Sequence, residues 1–266
     1  MRHLSGVCLW AITCLLQACA TPPIDVAQRV SALLPADAIL LGEQHDAPDH
    51  HALERAVVVE LAQRRQLAAL VMEMAEQGRS TVGLARNTPE ADVQSALHWD
   101  EAGWPWKDYG PVVMAAIQSG VPVLGANLPR AAMRSAMANT TLDAHLSPDK
   151  LEQQRDNIRS GHCMALPESQ IAPMTRIQIA RDAAMAGTIA GASRPGKTVL
   201  LVAGGAHVSR GLGVPTHLPT TIRLKVVLAV AGPLDADKAS GADVVWETPP
   251  VPAVDHCAKL ERQIKR

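Results

Sequence analysis

Short aliphatic runs alternate with amphipathic stretches along most of this 266-residue chain. That pattern predicts an α/β fold in which a mainly parallel sheet carries helices on both faces of a single domain. Two further observations point the same way. The aliphatic runs end in polar residues and glycines, as strands do where they leave a sheet, and proline or glycine punctuates the helical stretches at their ends. The core such a sheet buries must be aliphatic, because the chain has five Trp, one Tyr and no Phe.

The elements follow in order. Ala38 to Leu41 reads as a buried strand, and Asp49 to Arg65 as a helix with Leu53, Val57 and Leu61 at four-residue spacing. Ala68 to Met74 is a second strand. Thr88, Pro89 and Glu90 start a helix, and Tyr109 to Ser119 forms another that Gly120 closes before the strand Val121 to Leu124. Ser147 and Pro148 open a helix to about Arg159, and Pro173 opens a longer one to about Ala190. Thr198 to Ala203, Arg223 to Val230 and Asp243 to Trp246 complete the strands. There is no internal repeat.

Residues 37–247 therefore form the α/β domain, with a polar tail over 248–266 that starts Pro-rich. Upstream, Arg2 and His3 precede an apolar run from Leu4 to Leu16, too short for a bilayer span of about 20 residues, and Leu16, Gln17, Ala18, Cys19 follow. This resembles a bacterial lipoprotein signal over residues 1–18, with Cys19 acylated and 19–36 a lipidated N-terminus and linker. Ala20 carries no inner-membrane retention signal, so the expected location is the outer membrane, lipid-anchored on the periplasmic side. Cys8 and Cys14 leave with the signal, so Cys163 and Cys257 remain, either bridged or as separate thiols.

With 47% hydrophobic residues, 19% charged residues and a net charge of -1, the chain is neither disordered nor a polyanion binder. Nucleic acid is not an expected partner.

In a sheet of this class the ligand crevice lies outside the carboxyl ends of the strands. The first strand runs into Gly42, Glu43, Gln44 and His45, and the alternation of an extended segment points Glu43 and His45 the same way with about 7 Å between their Cα atoms. Glu73 ends the second strand. Asn127 ends the third with Arg130 just beyond, and Gly204, Gly205, Ala206 and His207 follow the fourth. A parallel sheet brings Glu43, His45, Glu73, Asn127 and His207 to one rim. Carboxylates beside imidazoles suit a divalent transition metal, or a water activated for general-base chemistry.

At these residues the chain resembles the ChaN-type haem-binding lipoproteins of the Tiki superfamily. The resemblance runs in order through GEQHDAPDHH, VMEM, WPWKDYGPV, ANLPR, GHC with QIARDAAMA, and AGGAHVSRGLGVP, from Ile39 to about Pro219. It implies an α/β domain, haem (iron protoporphyrin) as ligand and a role in haem or iron uptake, with a homodimer covering the haem. Tyr109, the one tyrosine, is then the expected ferric-haem ligand, with Lys107 or Arg130 stabilising the phenolate, His162 at a propionate and Trp104 and Trp106 as flat apolar surface. Packing of Tyr109 against the core is the other reading. More distant relatives sharing a GExH element include Tiki metalloproteases and erythromycin esterases, which imply a metal-dependent hydrolase holding its ion with Glu43, His45, Glu73 and His207. The chain has no GxSxG elbow, Walker loop or HExxH helix.

Overall fold

The computed structural model describes residues 25–233 and 241–258. The expected signal over 1–18 and its Cys19 lie outside them.

Six strands form one parallel sheet in the order β3-β2-β4-β1-β5-β6. The strands are β1 Ala38–Glu43, β2 Leu67–Glu76, β3 Val123–Asn127, β4 Thr198–Gly204, β5 Leu224–Ala231 and β6 Val244–Thr248. Every residue of β1 and β4 is buried. Strands covered on both faces read as continuous apolar runs, which is why these two were legible as such.

Side-chain alternation divides the core. Ile39, Leu41, Leu70, Met72, Leu200 and Val202 face one layer, where α2 (Pro48–Gln63) and α4 (Trp106–Gln118) pack. Ala38, Leu40, Val71, Val199 and Leu201 face the other, covered by Met185, Ala186 and Ile189 of α7 (Glu168–Ala192). Helices α3 (Glu90–Leu97), α5 (Arg130–Ala138) and α6 (Pro148–Gly161) also belong to the described body. Among the described residues no helix is long and apolar enough to cross a membrane.

Three elements depart from expectation. Residues 26–33, expected within a linker, form the helix α1 (Val26–Leu33), whose Val30 and Leu33 are buried in the same core layer as α2. The chain around Arg130 is helical as α5, opened by Pro129. Pro173 lies inside α7, which begins at Glu168 behind Pro167. Proline is favoured early in a helix, so two prolines six residues apart offered two starts, and the structure uses the first.

β1 and β4 are neighbours whose exits diverge. From β1 the chain passes over β4 to reach β2, and from β4 it continues to β5 on the far side of β1. Their carboxyl ends thus form a topological switch point, where sheets of this kind hold ligands.

Candidate functional site

The loop after β1 is folded back on α2. Gln44 N–H donates to His50 Nδ1 at 2.9 Å, and Ala47 N–H donates to the Gln44 carbonyl at 3.0 Å. This turn directs Glu43 under the α2–α4 layer and swings His45 across the end of the sheet. Gly204 leaves room for it, since a Cβ there would lie 2.8 Å from His45 Nε2.

Glu43 is a buried hub. Its Oε1 is 2.8 Å from His45 Nδ1 and accepts from the Tyr109 hydroxyl at 2.9 Å, while its Oε2 lies 3.2 Å from His51 Nε2. Burial alone would raise this carboxyl. The His45 hydrogen bond and the nearby His51 imidazole outweigh it and hold Glu43 well below the carboxylate range. Glu54, fully buried one turn along α2, is pushed well above that range by burial and by the Glu43 charge, so it is the neutral partner of this carboxyl pair.

Glu73 forms the second half. Its Oε2 accepts from Gly204 N–H at 2.8 Å, its Oε1 lies 3.2 Å from His207 Nε2, and His207 Nδ1 is 2.6 Å from Asp182 Oδ1 on α7. Burial opposes the charged form of each group. For His207 the Glu73 and Asp182 charges outweigh it and lift the imidazolium to about 10. His207 and its hydrogen bond hold Glu73 down at about 2, whereas for Asp182 burial wins and its pKa rises to about 6. The two halves meet at His45, whose Nε2 is 4.0 Å from Glu73 Oε2. Burial pulls the His45 pKa down, but Glu43 and Glu73 together raise it above 6.5.

Above this array opens a cavity of about 1400 Å³. Met74, Trp99, Trp104, Leu128 and Met133 give it apolar walls, with Arg130 and Arg181 also on the lining. The Trp104 ring stands edge-on to His45, with centroids 4.8 Å apart.

The family described as "Haem-binding uptake, Tiki superfamily, ChaN" matches residues 29–218. The chain belongs to this family. Among solved structures it is similar to that of cofacial heme binding to ChaN of Campylobacter jejuni, at 26% identity and a TM-score of 0.65, covering 78% of this chain and 87% of that one. The structure of the type III effector HopBA1 is also similar, at 16% identity and a TM-score of 0.49, covering 85% of this chain and 94% of that one. No curated protein matches the chain.

Within this ChaN-family site, Glu43, His45, Glu73 and His207 converge at one edge of the sheet, and Asn127 and Arg130 line the same cavity. Asn127 Oδ1 is buried without a protein partner, and the Arg130 guanidinium donates to Asp100 at 2.6 Å.

Tyr109, His162 and Trp106 are each engaged within the protein. Tyr109 lines the cavity but is 1% exposed, its hydroxyl donates to Glu43, and burial with the Glu43 charge pushes its pKa upward. Glu54 and Glu73 add to the Glu43 charge that acts on the phenol. His162 ends α6, with its Nδ1 2.8 Å from the Ile158 carbonyl, and is absent from the cavity lining. Trp106 is buried and its indole N–H is spent on Glu90 at 2.8 Å.

Glu43, His45, Glu73 and His207 pair with one another, and among the described residues no set of three or more His, Cys, Asp or Glu is arranged to hold a metal ion. Cys163 and Cys257 are joined by a disulfide with Cα atoms 5.5 Å apart.

His51, Glu54, Gln178 and Asp182 are site residues that sequence reasoning missed. Gln178 and Asp182 stand four apart on α7 and so share a face, a spacing visible within QIARDAAMA.

Proposed function

We propose that this chain binds haem in the cavity at the carboxyl edge of the sheet, with His45 as the residue that faces the iron. The observation that carries this reading is the orientation of His45. One ring nitrogen is tied to Glu43 at 2.8 Å, while Nε2 is turned away from that bond and the side chain is 41% exposed on the cavity. A carboxylate on the far nitrogen fixes tautomer and orientation and makes an imidazole a better ligand.

The donor set and the walls fit the group. A cavity of about 1400 Å³ exceeds the roughly 300–1,000 Å³ usual for small-molecule pockets. The indoles of Trp99 and Trp104 and the side chains of Met74, Leu128 and Met133 offer apolar contact to a macrocycle, and Arg130 and Arg181 offer charge to its carboxylates. When bound, haem supplies an iron centre that accepts an axial nitrogen. The Campylobacter relative, described as binding heme cofacially, supports the same ligand class, and a second copy of the chain covering the exposed haem face is part of the proposal.

The proposal places the protein in haem or iron uptake, anchored by lipid on Cys19 to the periplasmic side of the outer membrane. Support comes from the family description and from the Leu16 to Cys19 segment. Titrating haemin into the chain lacking residues 1–18 tests the ligand, and absence of a Soret shift overturns it. Cys19→Ser tests the anchor. Retention of that variant in the membrane after high-salt washing overturns the location.

A further inference from the structure

β6 is the edge strand, and because it runs parallel to β5 its exit at Thr248 lies on the same edge of the sheet as Glu43. Two strand spacings, about 10 Å, separate β6 from β1. Residues 249–255 cover that span easily at about 3.1 Å per residue in the extended form that Pro249, Pro250 and Pro252 favour. The path is visible in contacts. Pro250 packs on Gly232 at the exit of β5, its Cβ 3.3 Å from where a Gly232 Cβ would stand. Farther on, His256 Nε2 lies 3.3 Å from Asp46 Oδ2 in the loop after β1, and His256 lines the cavity. Cys257, the next residue, is bonded to Cys163 after α6.

The family match over residues 29–218 stops short of His256 and Cys257. The His256 side chain is 65% exposed, and an ion pair in that setting holds a chain segment weakly. The disulfide is therefore the strong tether at this end of the tail.

We propose that segment 249–257 is a wall of the haem cavity, that His256 is the side chain it contributes to the ligand, and that the Cys163–Cys257 bond holds it in place. The inference rests on the haem reading above. It makes affinity depend on the state of the disulfide. A dithiol reductant opens the bond in two exchanges: one thiolate attacks the exposed Cys257 sulfur and releases Cys163 as thiolate, and the second thiol then displaces Cys257. The protein gains two thiols, and the reductant leaves as its own disulfide.

The experiment compares haemin titrations of the full mature chain in four forms: oxidised wild type, wild type reduced with a dithiol and desalted without oxygen, Cys257→Ser, and His256→Ala with the disulfide intact. If loss of the tether leaves the tail closed about a tenth of the time, affinity falls about tenfold. That fall is expected for the reduced and Cys257→Ser forms, with part of it in His256→Ala, and reoxidation restores wild-type affinity. Reversibility separates loss of the wall from misfolding of the variant. Equal affinity and Soret position in all four forms overturns the proposal while leaving the haem reading intact. Failure of oxidised wild type to bind haemin overturns the haem reading, and the wall with it.

Discussion

Glu43 and Glu73 leave opposite faces of the sheet yet act on the same imidazole. Glu43 points into the α2–α4 layer, where Tyr109 and His51 meet it, and Glu73 points toward α7, where it reaches His207. His45 crosses the sheet end between them, its Nδ1 2.8 Å from Glu43 and its Nε2 4.0 Å from Glu73. The consequence is an imidazole held in one orientation between two buried carboxylates at the end of the sheet. Two strands of alternating side chains and one glycine at position 204 suffice to build it.

Removal of the phenol hydroxyl separates Tyr109 from iron ligation. Tyr109→Phe is expected to keep the Soret band of haemin-loaded protein and to lower stability by about 1 kcal/mol, the usual contribution of one buried hydrogen bond. His45→Ala is expected to lose the band or shift it. Denaturant unfolding and haemin titration of both variants provide the check, and a Soret band lost only in Tyr109→Phe would reverse the assignment.

Haem binding through His45 is expected to weaken in acid. The neighbouring carboxylates raise the His45 pKa above 6.5, and a proton on Nε2 competes with iron for the same lone pair. Below that raised pKa, affinity falls by about tenfold for each pH unit, one proton being released on binding. Above it, affinity is flat. Haemin titrations across neutral pH read this directly, and pH-independent affinity argues against His45 as ligand.

Asp182→Asn tests the other half of the array. Glu73 and Asp182 both hold the His207 imidazolium up at about 10 against burial. Loss of the Asp182 charge leaves one counter-charge, so the His207 pKa is expected to fall by about 1 to 3. Nuclear magnetic resonance of the His207 ring follows the titration. An unchanged pKa would show that Asp182 does not govern it.

The strand ends were legible because buried parallel strands appear as aliphatic runs, and Glu43, Glu73 and His207 each interrupt the polarity pattern where a run stops. Partners contributed by helices were harder to read. Tyr109 and Glu43 are 66 positions apart, and their contact depends on α4 packing beside α2, which periodicity within α4 does not specify. Glu54 sits beside Leu53 and three residues before Val57 in the buried stripe of α2, where an acid signals a special environment without saying which group faces it. In α1, Val26, Val30 and Leu33 carry helical spacing, but the segment is short and lies next to the expected leader, so composition concealed it.

Glu54→Gln is expected to change how stability depends on pH. Glu54 is neutral in the folded chain because burial and the Glu43 charge raise its pKa well above 4.5, while in the unfolded chain it ionises near that value. A raised folded pKa contributes stability that is fully present below 4.5 and is lost as pH rises toward the folded value. Glutamine never ionises, so the variant escapes that loss. It has nearly the same volume and no charge, so at pH 4 its cost is expected to stay within about 1 kcal/mol. The variant should therefore gain on wild type as pH rises from 4 to 8. Urea unfolding of both proteins across that range measures the difference. Parallel stability curves would mean that Glu54 is ionised in the folded protein, and the neutral half of the carboxyl pair would have to be sought elsewhere.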